Sequence, residues 1–338
     1  MRFKSHVVAT SFTIFYLLIF IISLRIVPKN SIIVSFSHER MIDMYIDDAE
    51  GMVFRPPSEA YSFILRATIG CSHNTCTFCP MYKESRFRIR PLEEIDGIIE
   101  RGAAAYPYVR RVFIADGDAL VLKTEDLLHI IKKCYDLFPR LTRVGAYATP
   151  ADIDRKTPEE LAALHEAGLG ILYTGIESGD DAVLTRVHKG TTAELTVRAG
   201  QKALAAGFKL SAMILLGLGG QERTHEHALH TAEVVSAINP TMLSALSLII
   251  PEFVPLYKEV QDGTFTPLTA RGFIRELDEL LRHTEMTESC IFRSNHVSNL
   301  YPVGGTLPKD KEAMLRALEQ MMPHMDDTTP ILGDVTHF

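Results

Sequence analysis

Apolar residues along the chain fall into short β-rich runs separated by longer segments of helical period. The runs lie at Tyr61–Thr68, Val109–Ala115, Thr142–Ala148, Ile171–Ile176, Leu210–Leu216 and Met242–Ile250. Each is short and rich in branched or aromatic residues, the pattern of a strand buried on both faces. Ile95, Ile98, Ile99 and Ala103 form one helical stripe after Pro91; Leu127, Ile130, Ile131, Cys134, Leu137 and Phe138 form a second. Thr157, Pro158 and Glu160 spell a capping box with proline at the first helical position, and the helix they open is predicted to end at Gly168. Thr191 and Glu194 repeat the device before a helix ending at Ala206-Gly207, and the next helix, Glu222 to Ile238, stops at Asn239-Pro240. Six strand–helix repeats with short connections require a parallel sheet with right-handed crossovers, closed partly into a barrel or left open and doubly wound. Beyond Pro251 the rhythm breaks. Helices near Leu268–His283 and Lys309–Met322 flank a strand-like Ser289–Ser294, a group expected to cap one end of the sheet.

The first forty residues follow a different pattern. Eighteen residues from Val7 to Leu24 carry no charge, just long enough to span a bilayer. No small-x-small cleavage site follows them, so the segment reads as a signal anchor rather than a removable signal peptide. Arg2 and Lys4 precede it and Arg25 and Lys29 follow, so the flanking charges set no orientation. The competing reading starts translation at Met41. Both readings place the protein in the cytoplasm, free or anchored to the membrane through residues 7–24 and facing the cytoplasm. The chain then divides into a hydrophobic segment at 1–40, a core domain at 55–252 and an extension at 253–338.

Composition narrows the function. Of 338 residues 46% are hydrophobic and 23% charged, enough apolar material for a large core and too much for disorder. The balance of 35 basic against 42 acidic side chains gives a net charge of −7, with no broad positive footprint for nucleic acid. A small-molecule substrate fits better. Five cysteines in a long chain do not make the dense even framework of a secreted scaffold, which points them to metal or catalytic use.

Three of the five fall together as Cys71-Ser-His-Asn-Thr-Cys76-Thr-Phe-Cys79, directly after the first predicted strand. Parallel α/β folds build their sites at the carboxyl ends of strands, where this loop lies. Three close thiolates can hold zinc or an iron–sulfur cluster. Structural zinc normally closes a four-ligand shell, and no fourth thiol has a suitable spacing: Cys134 lies on its helix's apolar stripe and Cys290 in the apolar-flanked Cys290-Ile-Phe segment, so both read as core. An iron–sulfur cube held at three corners leaves one iron open to a small molecule.

With these residues the stretch from Ser62 to Pro251 resembles the radical S-adenosylmethionine (radical SAM) enzymes. The resemblance implies a partial (β/α)6 TIM-like barrel carrying a C-terminal α+β extension, with Cys71, Cys76 and Cys79 binding a [4Fe–4S] cluster. Family members most often space these ligands C-x3-C-x2-C with an aromatic before the last; Phe78 matches the aromatic, while the first gap here is one residue longer. After the second strand, Ala115-Asp116-Gly117-Asp118 stands where the family holds the SAM amino group. Ile176-Glu177-Ser178-Gly179 resembles the ribose-contacting turn, and Gly217-Leu218-Gly219-Gly220-Gln221 the glycine-rich turn after the fifth strand, with Ile214 expected against adenine. By resemblance the SAM contacts are therefore Phe78, Asp116, Asp118, Glu177, Ser178, Ile214 and Gly217.

The implied activity is reductive cleavage of SAM to a 5′-deoxyadenosyl radical that abstracts hydrogen from a small-molecule substrate, with electrons from a low-potential donor such as flavodoxin or ferredoxin. The lack of a second cysteine group argues against methylthiotransferases and peptide-maturing members, and the anaerobic coproporphyrinogen oxidases are distant relatives by analogy. The alternative is a non-catalytic iron–sulfur carrier or redox sensor, with a zinc-stabilised binding module third. Arg293, Asn295 and His296 in the extension are the candidate substrate contacts. The basic run Lys83, Arg86, Arg88 and Arg90 reads as solvated surface, and His225, His227 and His230 as a solvated helix face.

Overall fold

The computed structural model describes residues 44–47 and 53–333. The apolar runs become strands β1 (Phe63–Arg66), β4 (Arg111–Ala115), β5 (Arg143–Tyr147), β6 (Leu169–Glu177), β7 (Lys209–Leu216) and β8 (Met242–Ser247), with a small hairpin of β2 (Thr68–Ile69) and β3 (Arg88–Ile89) beside them. Helices α1 (Leu92–Ala105), α2 (Thr124–Leu137), α3 (Pro150–Arg155), α4 (Pro158–Glu166), α5 (Asp181–Arg186), α6 (Ala193–Ala205) and α7 (Gly220–Ile238) connect them. The sheet runs β1-β4-β5-β6-β7-β8 and then continues through β9 (Cys290–Ser294) and β10 (Val303–Leu307). Every neighbour pair is parallel except β9 with β10. The architecture is the partial TIM-like barrel with an α+β extension.

Strand alternation sorts the side chains into two layers. Val112, Ile114, Val144, Ala146, Leu172, Ile176, Leu210, Ala212, Ile214, Leu243 and Phe292 face the helices and form the main core with them. The opposite, concave face carries Ile64, Phe113, Ala115, Ile171 and Tyr173, with Tyr147, Met213 and Met242 packed against them. The rings of Phe113, Tyr147 and Tyr173 meet edge to face, so the barrel floor is filled by aromatic packing rather than left as a pore.

Local signals explain most helix ends. Thr157 and Glu160 close the expected capping box, and Thr149 caps α3 by accepting the Asp152 N–H. The cap of α6 is Thr192, one residue after the expected Thr191, because it is the Thr192 hydroxyl that accepts the Leu195 N–H. Asn239, with φ 58°, ends α7 in the left-handed conformation.

The extension does not cap an end of the sheet. Its strands β9 and β10 prolong the sheet's open edge, while α9 (Ala270–His283) and α10 (Lys311–Met321) join the helical layer through Phe273, Leu277, Leu281, Met314 and Leu318. A short helix, α8 (Pro255–Gln261), links β8 to α9. Among the described residues no helix is long and apolar enough to cross a membrane. The apolar run 7–24 and the rest of segment 1–40 lie outside them.

At the amino end of the strands the residues ahead of β1 close the barrel. Glu59, fully buried, accepts hydrogen bonds from Ser62 Oγ, Arg143 Nη2 and the Tyr173 hydroxyl. Tyr173 also meets Ser58 Oγ at 2.9 Å, and Arg111 Nη1 donates to the Ser58 carbonyl at 3.1 Å. Removing one partner of such a buried network costs several kcal/mol because the others lose their acceptor. Replacing Glu59 with alanine is expected to cost about 3 kcal/mol, seen as a lower urea midpoint at unchanged slope. A midpoint equal to wild type would show that the network contributes nothing.

Candidate functional site

The cysteine loop begins directly after β2 and lies over the carboxyl ends of β1 and β4. What fixes it there is a fully buried ion pair at the ends of those strands. Asp116 accepts from Arg66 Nε at 3.1 Å to each carboxylate oxygen and from Arg66 Nη2 at 2.9 Å, and its Oδ2 also takes the Gly70 N–H at 2.9 Å. Burial works against both charges. The hydrogen bond and charge of Asp116 nonetheless hold the Arg66 guanidinium above its ordinary value. Asp116 itself has φ 72°, a conformation that costs a non-glycine residue about 1 kcal/mol.

The next residue, Gly117, lies so close to the cysteine loop that an added Cβ would stand 2.4 Å from Cys71 Cβ and 2.7 Å from its Cα. The Gly117 N–H donates to the Gly70 carbonyl at 3.0 Å, stitching the two loops together. Asp118 follows, fully buried; its Oδ2 accepts from Ser72 Oγ at 3.0 Å and Thr149 Oγ1 at 3.4 Å, while its Oδ1 is buried with no partner among the described residues.

Further contacts hold the cysteine loop from outside. Lys83 Nζ donates to the carbonyls of Asn74 and Cys76 at 3.1 and 2.9 Å, so this lysine clamps the loop instead of lying in solvent. Arg90 is likewise buried, paired with Asp47 at 2.8 Å, which leaves only Arg86 and Arg88 of the basic run on the surface. Thr77 is bonded through its N–H to Val187 and through its carbonyl to Leu256. Phe78, 7% exposed, packs with Val183, Val187, Leu218, Val254 and Phe265, and Cys76 and Cys79 lean on the same cluster.

All three loop cysteines are free thiols, partly exposed, whereas Cys134 and Cys290 are fully buried in the main core. Burial pushes the Cys76 thiol up to about 11, partly offset by the nearby Lys189, and raises Cys79 as well. Any metal ligated by these thiols would have to displace their protons. Among the described residues no three His, Cys, Asp or Glu side chains converge on one point that a single metal ion could fill. A cube of four irons takes one thiolate per separate iron and needs no such convergence.

At the end of β6, Glu177 adopts φ 64° and its Oε1 accepts from Lys189 Nζ at 3.0 Å. Both groups fold over Gly175, where an added Cβ would stand 2.1 Å from Glu177 Oε1 and 3.2 Å from Lys189 Nζ. Burial disfavours the Lys189 charge, but Glu177 and the thiols of Cys76 and Cys79 hold the ammonium above its ordinary value. Four of the described non-glycine residues with positive φ, Asn74, Asp116, Glu177 and His188, ring this one region; the fifth is the helix end Asn239. Strained backbone concentrated at one place is a mark of a functional site.

Other expected contacts lie elsewhere. Ser178 is fully buried, with its hydroxyl at 2.8 Å from His227 Nδ1 and accepting the Asp180 N–H at 3.0 Å. Ile214 belongs to the helix-facing layer, so Met213 and Leu215 are the residues that β7 turns to the concave side. Gly217 is anchored by Glu276, whose Oε1 accepts its N–H at 2.6 Å and whose Oε2 accepts from Thr224 Oγ1 at 2.5 Å. Burial raises the Glu276 carboxyl. His227 is buried against Ser178, the Leu215 carbonyl and Glu276, which corrects the expectation of a solvated face; His225 and His230 do lie on the surface. Arg293 and Asn295 are exposed, while His296 Nδ1 meets Ser298 Oγ at 2.8 Å within its own loop. Lys83 was expected on the solvated surface, and Lys189 and Glu276 were not singled out by the sequence at all. Lys189-Gly190, just past a short helix, was the one available hint.

Residues 65–232 match the family model of the Radical SAM superfamily. The chain belongs to that superfamily. It is 26% identical over 205 residues to the heme chaperone HemW of Bacillus subtilis, covering 57% of this chain and 52% of that one. It is 25% identical over 236 residues to a Methanocaldococcus jannaschii protein provisionally named a methylthiotransferase, covering 65% and 52%. The chain thus spans about half the length of the curated relatives it matches. The coproporphyrinogen III oxidase HemN of Escherichia coli shares the fold, with a TM-score of 0.50, 17% identity, and coverage of 63% of this chain and 50% of that one.

The donor set fits what the family implies. Three free thiols stand on one loop, a glycine leaves room against Cys71, and a buried carboxylate oxygen lacks a donor among the described residues. Replacing Gly117 with alanine is expected to push the two loops apart and cut iron bound after anaerobic reconstitution by more than about half, measured by iron analysis and the visible absorption band. Full iron loading in that variant would show that the close approach is dispensable.

Proposed function

We propose that the protein binds a [4Fe–4S] cluster and SAM at this site and uses them on a small-molecule substrate. Cys71, Cys76 and Cys79 would each ligate one iron and leave the fourth to the cofactor. The observation that carries the reading is Asp118 Oδ1, a buried acceptor beside the cysteine loop that has no donor among the described residues. An isolated buried carboxylate is costly, and an ammonium group is the complement that offsets it. Lys189, held charged beside Cys76 and Glu177, suits the cofactor's carboxylate. Glu177 Oε1 is already engaged by Lys189, which leaves Oε2 for ribose hydroxyls. Met213 and Leu215 offer the apolar surface that an adenine ring needs, in place of Ile214.

The remaining family-matched residues act indirectly in this reading. Asp116 holds the loop through Arg66, Phe78 seats Cys79 in the apolar cluster, Ser178 is locked by His227, and Gly217 is tied to Glu276. When bound, the reduced cluster and SAM supply reductive cleavage of the cofactor and a 5′-deoxyadenosyl radical that takes hydrogen from the substrate. This chain's contribution is to orient the cofactor, set opposite charges against its ammonium and carboxylate groups and keep water from the aromatic floor. An external low-potential reductant delivers the electron. Cytoplasmic placement follows from the need for reduced thiols and oxygen-labile iron.

Reconstituted protein given dithionite and SAM should form 5′-deoxyadenosine; a carrier or sensor would take up iron without forming it, and a zinc module would take up neither. Cys76→Ala is expected to lose the cluster. Asp118→Asn should keep full iron yet bind SAM about tenfold more weakly, read by equilibrium dialysis. Unchanged SAM affinity in Asp118→Asn would remove the central support for this reading.

A further inference from the structure

The concave face carries a second polar feature, outside the family-matched residues, on the strands the extension adds. In the parallel register Gly175 lies opposite Met213, Met213 opposite Ser244, and Ser244 opposite Arg293. These four residues make one row across β6, β7, β8 and β9. At roughly 4.8 Å per strand the row is about 14 Å long. At one end Glu177 and Lys189 fold over Gly175; at the other stands Arg293.

Arg293 is exposed but not loose. Its Nη1 donates to the carbonyls of Phe292 at 2.7 Å and Gly305 at 3.1 Å, and its stem lies over Gly304 in β10, where a Cβ would come within 3.2 Å of Arg293 Cδ. No carboxylate pairs with it among the described residues. The contrast with α9, in the helical layer, is direct: Arg271 meets Asp327, and Arg282 meets Asp278 and Glu319. The Ser244 hydroxyl beside it has no hydrogen-bond partner among the described residues, and Ile291, 39% exposed, adds an apolar neighbour on the same face.

We infer that Arg293 anchors an anionic group of the substrate, so that the substrate carries a carboxylate or phosphate some 14 Å (about three strand spacings) from the Glu177–Lys189 pair. This rests on the reading of the site proposed above. A guanidinium held by one nitrogen keeps its remaining N–H groups in a planar fork that matches a two-oxygen anion. An ammonium at this position would lack the fork. Met213 and Ser244 then form the floor under the stretch of substrate between anchor and cofactor, and Asn295, exposed just beyond Arg293, is the adjacent polar contact. His296 is spent on Ser298 and has no part in it.

The test is a nuclear magnetic resonance titration of the cluster-loaded protein, following arginine Nε–H signals while glutarate and inorganic phosphate are added separately. Arg293→Met identifies the Arg293 signal by its loss. That signal is expected to shift saturably in the millimolar range with at least one anion, while exposed Arg110 and Arg140 drift linearly; the anion that saturates at lower concentration identifies the head group. Arg293→Lys, checked for full iron, should weaken calorimetrically measured binding of that anion about tenfold. An Arg293 signal that drifts no more than those of Arg110 and Arg140 with both anions overturns the assignment. So does unchanged affinity in the lysine variant. Formation of 5′-deoxyadenosine by the wild type without substrate is read separately and reports on the cluster reading alone.

Discussion

The buried pair of Arg66 and Asp116 is the constraint from which the site follows. Two charges withdrawn from water are retained only where geometry and extra hydrogen bonds compensate, and here three guanidinium contacts and the Gly70 N–H are supplied together. The pair joins the carboxyl ends of two adjacent parallel strands. It fixes Gly70, the residue before Cys71, relative to Asp116, the residue before Gly117. The close approach of Gly117 to Cys71 is then a consequence of register, and the position of Asp118 a consequence of that approach. The left-handed turn at Asp116 is the local strain that this arrangement imposes.

Much of this architecture was legible in the amino-acid order. Parallel strands buried on both faces leave long apolar runs, and capping boxes mark helix starts, so the six strands fall within two residues of the expected runs at every end but one: the run expected to reach Ile250 stops at Ser247. The cysteine spacing identified the loop, since chemistry that needs three thiolates allows few alternatives. Facing was harder to read. The bulge in β6 shifts the register between Gly175 and Glu177, and alternation in β7 sends Ile214 to the helices and Met213 to the chamber. Apolar residues at neighbouring positions of such a strand look alike in one dimension. The partners Lys83, Lys189 and Glu276 act through tertiary contact, which no local pattern encodes. His227 misled for the same reason: on its helix it looks solvated, and only the packing of α9 against α7 buries it.

The extension does more than close the edge of a sheet. Its α9 sends Glu276 to the Gly217 N–H, so the turn after β7 takes its shape from residues far along the chain. Phe273 fills the space beside Gly217, where an added Cβ would stand 2.6 Å away. Its strand β9 lies parallel to β8 and lengthens the concave face by a strand that the family-matched residues lack. A shared core with a variable edge is how one barrel serves several substrates, because the cofactor region stays on the first strands while the last ones change what lies opposite it.

Charge distribution on the concave face gives the same division. Glu177 and Lys189 neutralise each other, as do Arg66 and Asp116. Two groups on this face lack an opposite charge among the described residues: Asp118, which receives only hydroxyl donors on one oxygen, and Arg293, which spends one nitrogen on backbone carbonyls. They differ in burial as their roles would require. A fully buried lone carboxylate is costly until a complementary cation reaches it, so the proposed site favours a ligand that brings a positive group into the buried pocket. An exposed guanidinium is hydrated and costs little when empty, which suits a ligand that arrives and leaves with each turnover. In the proposed reading the buried negative group thus receives the cationic cofactor, and the exposed positive group the anion of the substrate.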